Sequence, residues 1–168
     1  MAPTLRQVLA PPELEIELSV ALVRFLRHFN LVDLNLGLSI AWLAKLTDPK
    51  SAAPKLESMT LERKLREFRR LANKCGLTRS EKERKDLEDW STRFTVLRSL
   101  RNVFVHGHWD LLPLREEHPV SLVIPPWMQE KLGTSPEIKM TLNELRGRAL
   151  QMEGLFLEFM KLRRKMGL

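Results

Sequence analysis

A single cysteine, Cys75, stands among 168 residues. A lone thiol builds neither a disulfide framework nor a cysteine-type zinc site, so a reducing compartment, the cytoplasm, is the expected setting. Glycine-rich phosphate loops, Ser-His-Asp patterns, internal repeats and long low-complexity segments are also missing. The opening residues Met1-Ala2-Pro3-Thr4-Leu5-Arg6 carry no basic region followed by an apolar stretch, and no secretory signal is expected. The most apolar stretch, Leu14 to Leu46, is interrupted by Arg24, Arg27, His28, Asp33 and Lys45. No uncharged run in it reaches the length of a membrane span, so it reads as a buried helix and no membrane association is expected.

What remains is the composition of an ordinary globular chain, 43% apolar and 29% charged, long enough for one domain spanning 1–168 with its own core. The net charge of +7 is unevenly distributed. Residues 1–61 hold six basic and six acidic side chains, residues 62–101 thirteen and seven, and residues 102–168 nine and eight. The excess therefore sits in the middle of the chain. Such a basic stretch is either a solvated helix face or a surface for an anionic partner such as RNA or a nucleotide. Arg63, Arg66 and Arg70 are its candidate nucleic-acid contacts.

The apolar periodicity predicts four helices. After a tail of residues 1–12 with Pro11-Pro12, the first runs from about Glu13 to Leu46. Its polar positions Asn30, Asp33 and Gly37 recur at three- and four-residue spacing. Phe25, Leu26, Phe29, Leu36, Ile40 and Leu43 form a broad apolar surface. A helix apolar on most sides needs cover on most sides, some of which a second subunit can supply. Residues 47–57 read as a linker. The second helix starts at Ser58 or Thr60, carries the stripe Leu61, Leu65, Phe68 and Leu71, and ends at a cap glycine, Gly76. The third opens on the capping-box pair Ser80/Glu83 or Thr78/Glu81. It continues through Leu87, Trp90, Phe94, Leu97 and Phe104 to about Gly107. Trp109–Leu114 and Val120–Ile124 then alternate as a β-hairpin within residues 108–126, joined through Arg115–Pro119. The last helix starts at Thr141, with Glu144 completing its capping box. The expected fold is mainly α: an antiparallel four- to five-helix bundle with a β-hairpin inserted before the last helix.

The third helix ends in Arg101-Asn102-Val103-Phe104-Val105-His106-Gly107. Asn102 and His106 are four residues apart and share a helical face. Arg101 is five before His106, roughly 140° around the axis, and reaches round with its long side chain. Histidine exchanges protons near neutral pH, and arginine offers a permanent charge and a donor fork that fits phosphate. Together they can hold a phosphodiester and move a proton on or off a ribose hydroxyl. The bland alternative is a polar cluster that closes the helix and pairs with Asp33 or Asp110. His106-Gly107-His108-Trp109-Asp110 also resembles the start of a His-x-His-x-Asp-His metal motif, but position 111 is leucine, so no metal and no cofactor is expected. Trp90, Trp109 and Trp127 read as core or interface anchors.

Arg101-Asn102-x-x-x-His106-Gly107 at the end of a bundle helix resembles the HEPN superfamily. So does the run Phe25-Leu26-Arg27-His28-Phe29-Asn30-Leu31-Val32-Asp33, which is similar to the first helix of small bacterial HEPN-like proteins. The resemblance implies a helical bundle that dimerises, with two motifs facing each other across a shared cleft. It implies a metal-independent endoribonuclease of toxin–antitoxin or defence systems, with an antitoxin as a further partner. Cleavage leaves a 2′,3′-cyclic phosphate. His106 would act as general acid or base, Arg101 would stabilise phosphate and Asn102 would orient either. Asp33, His108 and Asp110 are candidates to support that site from beside it. Other members of the superfamily are inactive or only bind RNA or nucleotides.

Overall fold

Three polar residues decide where three of the helices begin. Thr60 is extended (φ −63°, ψ 153°) and its hydroxyl accepts from the Arg63 N–H at 3.3 Å. Ser80 and Glu83 bond reciprocally, at 3.2 and 3.0 Å, as do Thr141 and Glu144, at 3.1 and 2.6 Å. Each pair satisfies first-turn N–H groups that a helix leaves unpaired. Thr78 does not compete for the third helix: its buried hydroxyl donates to Asn73 Oδ1 at 2.8 Å.

The computed structural model describes residues 12–44, 56–78, 80–111, 120–127, 129 and 135–168. Among the described residues the order is α1 (Pro12–Leu43), α2 (Leu61–Lys74), α3 (Glu81–His106), β1 (His108–Leu111), β2 (Val120–Val123), β3 (Glu137–Met140) and α4 (Leu142–Lys165). The mainly helical class stands, and among the described residues four helices are present, the lower of the expected four to five. The expected hairpin is a three-stranded antiparallel sheet of order β1-β2-β3. The β1–β2 pairing is as predicted, with Trp109 opposite Leu122 and Asp110 opposite Ser121. The added strand pairs Val120 with Met140 and Leu122 with Ile138. Pro12, expected in the tail, opens α1; the tail up to residue 11, residues 45–55 and residues 112–119, which include the end of the expected first strand and the Arg115–Pro119 connection, lie outside the described residues. Leu56 and Met59, at the end of the linker, form a turn in which the Met59 N–H donates to the Leu56 carbonyl at 3.1 Å.

Two compact units divide the chain, one drawing on Met1–Phe25 and Ser99–Leu150, the other on Leu26–Arg98 and Gln151–Leu168. The second has an aromatic centre. Trp90 stacks on Phe94 at 5.3 Å and on Phe159 at 4.7 Å between ring centroids, Phe29 stacks on Phe94, and Phe68 meets Phe159 edge-on. The Trp90 indole N–H donates to the Leu155 carbonyl at 2.9 Å, so its one polar atom is satisfied inside the core. On α1, Gly37 is buried and not part of a polar row, while Ser39 is buried by bonding back to the Asn35 carbonyl at 2.7 Å. Helix α2 ends in a Schellman motif. Gly76 takes φ +65°, Leu77 N–H donates to the Ala72 carbonyl and Gly76 N–H to that of Asn73.

In the first unit the two faces of the sheet differ, although Ser121 is buried on the face it shares with Asp110. Val120, Leu122 and Met140 are buried on one face, and His108 and Asp110 are exposed on the other. No helix among the described residues is long and apolar enough to cross a membrane.

Trp90→Ala should lower the unfolding free energy by about 3–5 kcal/mol, read by urea denaturation with circular dichroism. Val96→Ala, at a position 63% exposed, should stay within about 0.5 kcal/mol of the wild type.

Candidate functional site

Helix α3 passes into β1 through one residue, Gly107. A Cβ added there would lie 2.4 Å from Leu122 Cδ1 and 2.9 Å from the Val103 carbonyl oxygen. Glycine is required by this close approach, since its φ is not positive. The Gly107 N–H still donates to the Val103 carbonyl at 2.8 Å, closing the last helical turn. The next carbonyl, of Phe104, accepts from the Trp109 indole N–H at 2.8 Å. That indole caps a group the helix end would leave unsatisfied. The Trp109 ring packs on Phe104 at 5.1 Å, and Phe104 meets Phe25 edge-on at 5.1 Å. Trp109 is thus an anchor, as its sequence context suggests, and it fixes the end of α3.

On this clamped end, Arg101 and Asn102 are half-buried and His106 is exposed. Arg101 Nη1 donates to Asn102 Oδ1 at 3.3 Å, which brings these two motif side chains together. The four-residue spacing puts Asn102 and His106 on one face of the continuous helix. Among the described residues the His106 imidazole makes no hydrogen bond or ion pair. The arrangement joins an imidazole open to solvent with an amide and a guanidinium held by each other. It can present donors to an anion and exchange a proton with whatever reaches it.

His108 and Asp110 are both exposed on one face of β1, opposite Val123 and Ser121. Ser121 donates to Glu137 Oε1 at 2.6 Å across to β3. Asp33 belongs to the other unit, where its carboxylate accepts from Lys64 Nζ at 2.7 Å and ties α1 to α2. No group of three metal-ligating side chains is assembled among the described residues.

The three candidate arginines separate. All are exposed, but Arg70 is held bidentately by Glu67 at 2.6 and 2.8 Å. That hydrogen bond holds its guanidinium further toward the charged form than usual. Arg66 lines a groove between α2 and α3, whereas Arg63 and Arg70 do not. The groove also takes in Arg69 and Arg98, two arginines that sequence patterning does not single out.

Comparison with protein-family models, with curated protein sequences and with solved structures finds no match for the chain.

Three features escaped the sequence reading. Strand β3 was legible in principle, since Glu137-Ile138-Lys139-Met140 alternates polar and apolar just before a capping box. The indole cap and the Gly107–Leu122 approach left no signal, because each depends on which strand returns to the helix end.

Gly107→Ala should cost about 1–3 kcal/mol of stability through overpacking. The double variant with Leu122→Ala should be more stable than the sum of the two single losses predicts, because the cavity admits the new methyl group. Chemical denaturation of the four proteins measures that coupling, and strict additivity would contradict it.

Proposed function

We propose that the chain is a HEPN-like, metal-independent endoribonuclease acting at the end of α3. The observation that supports this reading is the half-buried Arg101–Asn102 pair beside an exposed His106 on a helix end fixed by Gly107 and Trp109. In such cleavage the RNA supplies its own nucleophile. A base takes the proton of a 2′-hydroxyl, O2′ bonds to phosphorus, the P–O5′ bond breaks and the leaving oxygen takes a proton. The products are a 2′,3′-cyclic phosphate and a 5′-hydroxyl. His106 exchanges one of these protons, Arg101 offsets charge building on the phosphoryl oxygens, and Asn102 orients the guanidinium.

The two proton transfers fall on opposite sides of phosphorus, a base at O2′ and an acid at O5′. In this reading one motif contributes one of them and a second copy of the chain the other, across an antiparallel helical bundle dimer. The exposed apolar residues of α1 support a second copy. Ile16, Val20 and Val23 follow one another at helical spacing, as do Leu34, Leu38 and Trp42, all more than half exposed. His108 and Asp110 would support the site from the adjoining strand. The reading places the protein in the cytoplasm, in a toxin–antitoxin or defence setting where an antitoxin holds it in check.

Purified protein incubated with structured RNA in EDTA should generate cyclic-phosphate ends. His106→Ala and Arg101→Ala should each slow this by at least about 100-fold. Activity abolished by EDTA would refute the metal-free mechanism. RNA binding without any cleavage would make the chain a non-catalytic binding module instead.

Analytical ultracentrifugation should show a dimer that Val20→Glu or Leu38→Glu dissociates. A wild-type chain sedimenting as a monomer while still cleaving RNA would rule out the two-copy site.

A further inference from the structure

Helix α2 concentrates the charge of the chain. Leu61–Lys74 carries six basic residues against two acidic ones. Lys64 is committed to Asp33, Arg70 to Glu67 and Arg69 to Glu88. Among the described residues Arg66 has no carboxylate partner, and it stands in a groove of about 490 Å³ between α2 and α3. Two further arginines line that groove with it, Arg69 from α2 and Arg98 from α3, against one carboxylate, Glu62.

We propose that this groove binds the phosphodiester backbone of an RNA strand. The proposal rests on the reading above only in naming RNA as the strand; the groove's own chemistry argues for the backbone. Arg98 gives one terminal nitrogen to Glu62 at 3.2 Å, and Arg69 gives one to Glu88, also at 3.2 Å. Both carboxylates are about two-thirds exposed, so these single-nitrogen pairs are weak and readily exchanged for a phosphate. A guanidinium has five N–H donors. Arg98 Nε is buried without a hydrogen-bond partner among the described residues. Each ion pair uses one terminal nitrogen of the fork, which leaves the other to bond a phosphate oxygen.

The α3 wall is shaped to let a strand lie close. Ser91 donates to the Leu87 carbonyl, Thr92 to that of Glu88 and Thr95 to that of Ser91, at 2.7, 3.0 and 2.8 Å. With their donors spent on the helix, these small side chains offer little for reading a base edge. The charged contacts of the groove therefore come from the arginines, which suit the backbone of a strand rather than its bases. From Glu62 to Asn73 the α2 wall rises through eleven residues, roughly 16 Å at the helical rise. That length takes in successive phosphates of an extended strand.

The test uses a short 2′-O-methyl RNA, which binds but cannot be cleaved by 2′-hydroxyl attack, with fluorescence anisotropy at several salt concentrations. Arg66→Ala should weaken binding about tenfold and reduce the salt slope by about one. Arg63→Ala, on the same helix but outside the groove, should change binding less than twofold. Thr92→Glu, which places a negative charge in the groove, should weaken binding at least as much as Arg66→Ala. Circular dichroism melting confirms that each variant is folded. Equal losses in Arg63→Ala and Arg66→Ala would overturn the proposal, because the charge of the helix and not the groove would then drive binding. Competition by uridine monophosphate or polyglutamate as effective as unlabelled RNA would overturn it too, in favour of a single-phosphate or carboxylate site. Cleavage of unmodified RNA by the same wild-type preparation separates this site from the α3 motif. Cleavage without an Arg66 effect defeats the groove alone, and an Arg66 effect without cleavage defeats the catalytic reading alone.

Discussion

A methyl group at position 107 would lie 2.4 Å from Leu122 Cδ1, well inside any distance that real side chains keep. Leu122 is fully buried in the central strand of the sheet, so moving its side chain aside disturbs the buried face that it shares with Val120 and Met140. The end of α3 is therefore seated against the sheet at a point where only hydrogen fits. This constraint places His106 and His108 on either side of one glycine, both exposed. It also sends the next residue, Trp109, back over the last turn, where its indole satisfies the Phe104 carbonyl. A helix end that would fray in isolation becomes a fixed platform for a titratable side chain.

The charge distribution follows a related economy of position. Many of the cations of the basic middle stretch are neutralised locally: Lys64 by Asp33, Arg70 by Glu67, Arg93 by Glu158. Most of these pairs are exposed and contribute little to stability. Their effect is to decide which arginines remain available. A sum over residues 62–101 treats all thirteen cations alike, whereas the fold leaves Arg66 facing a groove and commits Arg70 to a neighbour on its own helix.

Local rules were readable where local physics decides. The capping boxes at Ser80 and Thr141, the cap glycine at Gly76 and the stripe through Leu87, Trp90 and Phe94 act within a few residues and appear as the sequence implied. Thr78 shows the limit of such reasoning. It has the same capping pattern as Ser80, but its hydroxyl is buried against Asn73, and a spacing rule cannot see that competitor. Gly37 is a similar case, taken by periodicity for part of a polar row yet buried, because glycine adds no polarity of its own.

The sequence by itself determined the four helices to within a few residues, the first strand pair and the shared face of Asn102 and His106, since each follows from intervals of four residues or fewer or from simple alternation. Tertiary structure alone decided that the hairpin gains a third strand, that Gly107 is a close-approach glycine and not a left-handed cap, and that Asp33 is tied to Lys64. It also decided which of the basic residues share a groove. These outcomes depend on which distant segments meet, Leu122 with position 107 and α2 with α3, and contacts between segments far apart in the chain are not encoded in any local interval. The end of α3 belongs to both lists: its residues were legible, and its rigidity was not.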